Sequence, residues 1–175
     1  MYAKLTAGAT GYDVLVPSSY MVKTLVRENR LLALDHAKLP NIKHVDASYL
    51  KRALDPTMAH SVPYMMAPTC IAWLKSKVAN AEASLAMFDR ADLKGRITLL
   101  DDMREVLAVG LILNGHKINS TDPAELQQAA DTIIAMKPHV AAFTYDERPM
   151  VQAGDVAAGH AFVGAMIDVF GNEKD

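Results

Sequence analysis

The chain has 175 residues, 18 basic against 20 acidic side chains for a formal charge of −2, and a hydrophobic fraction of 51%. That composition excludes a disordered tail, and the near-balanced charge with no Lys/Arg cluster along one face excludes the electrostatic footprint of a nucleic-acid binder. The single cysteine, Cys70, rules out an intramolecular disulfide and a multi-cysteine metal site, and no apolar run approaches the ~20 residues needed to cross a bilayer.

Taken in chain order, strand and helix signals alternate. "YDVLVP" at 12–17 is short and apolar, bounded by Gly11 and Pro17, and reads as a buried strand. Ser18 and Ser19 offer N-caps to a helix in which Met21, Leu25 and Val26 share a face. "DASYLKRAL" is a second short helix, capped by Asp46 or Ser48 and stopped by Pro56, and "SVPYMMAPTCIAWL", broken by Pro63 and Pro68, is extended. "SLAMFDRADL" is helical and ends at Gly95, and "RITLL" is a strand. "DDMREVLAVGLILNG" is an amphipathic helix, and "TDPAELQQAADTIIAMKP" is another, with Asp122 as N-cap, Pro123 in the first turn and Pro138 as the stop. "VAAFTY" and "GDVAAGHAFVGAMI" read as strand-like runs. The alternation predicts an α/β fold with a mainly parallel sheet.

In open α/β sheets, ligands gather at the carboxyl ends of strands. "VPSSY" and "LLDDMRE" both stand there, each with polar side chains at a helix start. On local sequence alone, Asp102 and Glu105 read first as a capping pair, the same pattern as Asp122 and Glu125. Cation binding is the alternative. A carboxylate can cap with one oxygen and present the other to a ligand.

A wider pattern bears on that choice. "MYAKL", "GYDVLVPSSYMV", "VPYMMAPTCIA", "LKGRITLLDDMREV", "STDPAEL" and "VAAFTYDERPMVQAGDVAAGHAF" follow in order from about Met1 to Phe162 and together resemble the bacterial spermidine/putrescine-binding proteins, the solute receptors of polyamine ABC transporters. The resemblance implies a two-lobed, periplasmic-binding-protein-like fold of type II, with residues 1–70 a partial first lobe and 71–175 most of a second lobe that lacks its return crossover. It implies a periplasmic location, a polyamine ligand closed into an interlobe cleft, and a membrane permease as partner. By the same resemblance Ser18, Tyr20, Asp102 and Glu105 face the ligand. Phe162 stands where the family carries a tryptophan against the ligand's methylenes, a change that weakens cation–π attraction. The chain looks like the middle of such a receptor; unpaired sheet edges would favour self-association, and residues 1 to about 70 should be the less stable part.

The first alternative is an inactive or split fragment of such a receptor, or a receptor for a different small solute; an enzyme using the same carboxylates ranks a distant third. It lacks a phosphate loop, an H-E-x-x-H and a G-x-S-x-G, so neither catalysis nor a cofactor or metal is expected. His160 in "GHAF" has no second histidine at ligand spacing and reads as structural, Cys70 as a small buried hydrophobe, and Tyr64 and Trp73 as core residues.

Overall fold

The computed structural model describes residues 2–51 and 53–170, and within it the chain divides into two compact units, one ending at Met66 and the other beginning at Ala67. The first unit holds helices α1 (Tyr2–Thr6), α2 (Ser19–Arg27) and α3 (Ala47–Leu50), with 3₁₀ turns at His36–Lys38 and Pro40–His44. Asp46 caps α3, accepting from Ser48 N at 2.8 Å, as its sequence position predicts; Arg52, part of that predicted helix, lies outside the described residues. Glu28 ties α1 to the end of α2 by accepting from the Tyr2 hydroxyl and from Arg30 Nε. Asp55 organises the following loop, accepting from the backbone N–H groups of Ala59, His60 and Ser61 and from the Ser61 hydroxyl. Partial burial alone would raise the Asp55 pKa, but these bonds outweigh it and hold the carboxyl below its ordinary range.

The strand predicted at 12–17 is not formed. Val14 and Val16 are 83% and 67% exposed, and the segment runs without regular structure into α2. A β-branched run becomes a strand only beside a hydrogen-bonding edge, and the described residues of this unit include no strand to supply one.

The second unit contains a four-stranded mixed sheet in the order β1 (Thr69–Trp73), β4 (Ala158–Phe162), β2 (Ile97–Leu99), β3 (Val140–Phe143). β2 pairs in parallel with both β3 and β4, while β1 runs antiparallel to β4 on the edge, with Thr69 opposite Phe162. α4 (Met103–Leu113) and α5 (Pro123–Met136) form the crossover from β2 to β3, and α6 (Arg148–Ala153) joins β3 to β4. β4 passes straight into α7 (Val163–Phe170), so the apolar run predicted as one strand changes structure at Val163. An unbroken apolar run has no periodicity to separate strand from helix, which is why the switch is hidden in the sequence. "SLAMFDRADL" folds as two 3₁₀ turns, Leu85–Asp89 and Ala91–Leu93.

Strand side chains alternate between faces, and the two hydrophobic clusters follow that alternation. Ile71 and Trp73 pack with Phe88, Leu93, Ile97, Leu99, Val109 and Met136 on the side of α4 and α5. Cys70 and Ala72 pack with Val151, Val156, Ala161 and Met166 on the side of α6 and α7. Two glycines permit close approach: a Cβ at Gly110 would lie 2.5 Å from the Ala129 carbonyl oxygen between α4 and α5, and one at Gly159 would lie 2.4 Å from Thr98 Oγ1 between β4 and β2. Trp73 is half-buried against the core as predicted, whereas Tyr64 is 78% exposed and is not a core residue.

Burial is distributed unevenly. Leu25 is the one buried side chain among the described residues of the first unit, whereas β2 is buried along its whole length. Few buried apolar contacts mean low local stability, so backbone amides of the first unit should exchange with solvent at least about a hundredfold faster than those of β2 and β4. Hydrogen-exchange mass spectrometry on the intact chain reads this directly; equal protection in both units would contradict it.

Glu147, just before α6, is 1% exposed, and among the described residues its carboxylate has no hydrogen-bond partner beyond its own backbone N–H. Burial pushes its pKa above the ordinary range, that N–H partly opposes the shift, and Asp146 adds to it. Because the folded pKa exceeds the unfolded one, the folded state holds this proton more tightly, and the associated stability is complete below the unfolded pKa and is lost as pH rises through the folded value. Glu147→Gln should therefore match the wild type near pH 4 and exceed its stability at pH 7.5 by roughly 1–3 kcal/mol in denaturant titrations. A variant less stable than wild type at pH 7.5 would show that the carboxylate is satisfied in a way this burial does not reveal.

Candidate functional site

Parallel pairing of β2 with β3 and β4 points three carboxyl ends toward one rim of the second unit's sheet. The chain leaves β2 through Leu100 and Asp101 and enters α4 at Asp102, leaves β3 through Thr144 to Tyr145, and leaves β4 at Phe162. The Thr144 N–H donates to the Leu99 carbonyl at 2.9 Å, holding the start of the β3 exit loop against β2.

Asp102 is the N-cap of α4. Its Oδ1 accepts from Arg104 N at 2.9 Å and Glu105 N at 3.2 Å, in extended backbone geometry suited to a cap. Asp122 caps α5 in the same way, through Ala124 N and Glu125 N. The two caps differ at the other oxygen and in burial. Asp102 is 4% exposed, and its Oδ2 accepts from the Tyr145 hydroxyl at 3.3 Å, so that oxygen faces a neighbouring phenol. Asp122 is an exposed cap.

Tyr145 stacks on Phe162 with ring centroids 6.1 Å apart and planes 1° from parallel. Tyr145 is about half exposed and Phe162 is half-buried, so the pair forms an aromatic plate with an accessible edge beside the buried carboxylate. Glu105, in the first turn of α4, reaches a different neighbour: its Oε2 lies 3.8 Å from Nε2 of His160 on β4. Both line a cavity of about 420 Å³, together with Arg104, Cys70, Ile71 and Ile112 among others. His160 is 5% exposed, and burial lowers its pKa below the ordinary histidine value. Burial, then the charge of Glu147, raises the Cys70 thiol, which suits the packing role its sequence context predicts.

Of the sequence-predicted site residues, Asp102 and Phe162 are joined through Tyr145, and Glu105 follows Asp102 on the same helical turn. Ser18 and Tyr20 lie in the first unit, Ser18 at the N-cap position of α2 and Tyr20 within its first turn. Tyr145 is the residue that sequence reasoning missed. The signal was present in its place two residues past the end of "VAAF", at a strand's carboxyl end. The sequence offers His160 no second histidine at ligand spacing; the structure gives it a carboxylate from another element as neighbour.

Comparison with known proteins bears on this arrangement. Residues 2–174 match the family model described as bacterial extracellular solute-binding protein. The chain is 38% identical over 150 residues to a putrescine/cadaverine-binding protein of Pseudomonas aeruginosa, covering 82% of this chain and 42% of the relative. It is 34% identical over 181 residues to the spermidine/putrescine-binding periplasmic protein of Escherichia coli, covering 97% and 52%. The crystal structure of the TpPotD lipoprotein of Treponema pallidum superposes with a TM-score of 0.81 at 34% identity, over 96% of this chain and 54% of that one. The chain thus spans about half the length of the curated relatives it matches.

Proposed function

The chain belongs to the bacterial extracellular solute-binding protein family, and on that premise we propose that it is the solute-recognising part of a polyamine receptor serving an ABC transporter. The observation that carries this reading is the grouping of Asp102, Glu105, Tyr145 and Phe162 at the carboxyl rim of the second unit's sheet. A polyamine presents ammonium groups separated by methylene chains. Carboxylates meet the first and aromatic faces meet the second. Glu105 is the more accessible carboxylate, with its side chain 36% exposed, and makes direct contact with an amine. Asp102 contributes negative charge from beneath the aromatic plate and orients Tyr145 through its hydroxyl. Phe162 and Tyr145 pack against the methylenes.

Ser18 and Tyr20 are proposed as further ligand contacts, on the strength of the VPSSY motif. The relatives' names carry the substrate class, putrescine with cadaverine or spermidine, and by the same analogy the location is periplasmic and the partner of the loaded receptor is a membrane permease. The role is binding without chemistry on the solute. In this reading residues 1–70 correspond to part of a first lobe and 71–175 to most of a second. The outer edges of the sheet, β1 and β3, are the surfaces through which copies would associate at high concentration.

The cap role and the charge role of Asp102 can be separated. Asparagine is as good an N-cap as aspartate, so Asp102→Asn should keep the stability of α4 within about 0.5 kcal/mol, whereas Asp102→Ala should lose ~1 kcal/mol. Calorimetric titration with putrescine at low salt should show binding to wild type weakened at least tenfold in both variants. Wild-type binding that survives in Asp102→Asn would mean that this carboxylate is only a cap, and no wild-type binding of any polyamine would remove the reading for this chain.

A further inference from the structure

The contact between His160 and Glu105 is unexplained by cation binding alone. An imidazole 5% exposed is held 3.8 Å from the carboxylate best placed to meet an ammonium group, with both side chains on the wall of one cavity. We infer that His160 is a positioning residue that makes Glu105, and with it the capture of a cationic solute, responsive to pH: as imidazolium it occupies the carboxylate that a ligand amine would otherwise meet. This rests on the polyamine reading above and adds a regulation to the same site.

The surroundings determine which charges take part. From α4, Glu105 and Arg104 line the cavity with His160; from β1 the titratable neighbour is Cys70, and the remaining walls, Leu85, Ile118 and Asn119 among them, carry no charge. Nδ1 of His160 is buried and has no hydrogen-bond partner among the described residues, and Glu105, in contact with Nε2, is the one carboxylate among the residues lining the cavity. Burial disfavours the imidazolium and keeps the ring neutral at neutral pH. A neutral ring leaves Glu105 its full charge for a ligand. As the pH falls below the ordinary histidine range the ring protonates, and the new cation pairs with Glu105 and repels a second one. Proton and ligand amine thus compete for one carboxylate, and by linkage a bound amine depresses the His160 pKa in return.

Two measurements test this on the full chain. In the first, putrescine affinity is measured by calorimetry at pH 8 and pH 5.5 for wild type and His160→Gln, and the readout is the ratio of the two affinities within each protein. Wild type should lose affinity severalfold, with about tenfold as the limit that one pKa unit of coupling sets, while His160→Gln should lose less than about twofold. Equal ratios in the two proteins would overturn the inference while leaving the polyamine reading intact; absence of wild-type binding at pH 8 would overturn the polyamine reading and the inference with it. The second measurement needs no substitution in β4: the His160 ring is titrated by NMR in wild type and in Glu105→Gln. Loss of the carboxylate should lower the His160 pKa, and an unmoved pKa would show that the two groups are uncoupled and overturn the inference.

Discussion

Two backbone N–H groups at the start of α4 donate to one oxygen of Asp102, and the geometry of the rim follows from that bond pair. It fixes where the first turn of α4 begins, and so the bearing on which Glu105 leaves the helix. It leaves the second oxygen to receive the Tyr145 hydroxyl, which sets the phenol against Phe162. A helix N-terminus carries partial positive charge and by itself attracts anions. In the proposed function a cation is accommodated there because two carboxylates within one turn more than reverse that field. One oxygen of Asp102 serves the cap, and the proposed function assigns the other to the rim where a cation would lie.

Much of the second unit was legible because its signals are local. Asp122 and Pro123 mark the start of α5 and Asp102 the start of α4, each confirmed by cap bonds from two N–H groups. The β-branched Ile97–Leu99 run marks the central strand. Where the deciding contact is remote in sequence, the reading failed. The run at 12–17 has the composition of a strand, but strand formation depends on a partner elsewhere, and Val14 and Val16 stand exposed. The change from β4 to α7 at Val163 falls inside an apolar run whose composition suits either state.

The candidate site divides along the same line. Asp102 and Glu105 are adjacent in sequence and announce themselves by spacing. Tyr145 joins them through a contact 43 residues away, visible only once β2 and β3 are paired. His160 could not be linked to Glu105 until β4 and α4 were placed on one cavity. Burial of ionisable groups is likewise tertiary: nothing in "YDERP" distinguishes Glu147, fully enclosed, from its exposed neighbour Asp146. These buried groups are also where the fold meets pH, since burial raises the Glu147 pKa and lowers that of His160.

The central claim is that Asp102 is more than a cap, and Asp122 provides an internal reference for it because it caps α5 by the same two bonds without the aromatic neighbour or the burial. The most direct measurement follows the side-chain carboxyl ¹³C resonances of Asp102, Glu105 and Asp122 while putrescine is added at low salt. Asp102 and Glu105 should shift together along one saturable curve while Asp122 stays in place. Three resonances drifting alike without saturation would mean nonspecific screening of exposed charge, and a still Asp102 beside a moving Glu105 would return it to the status of a helix cap.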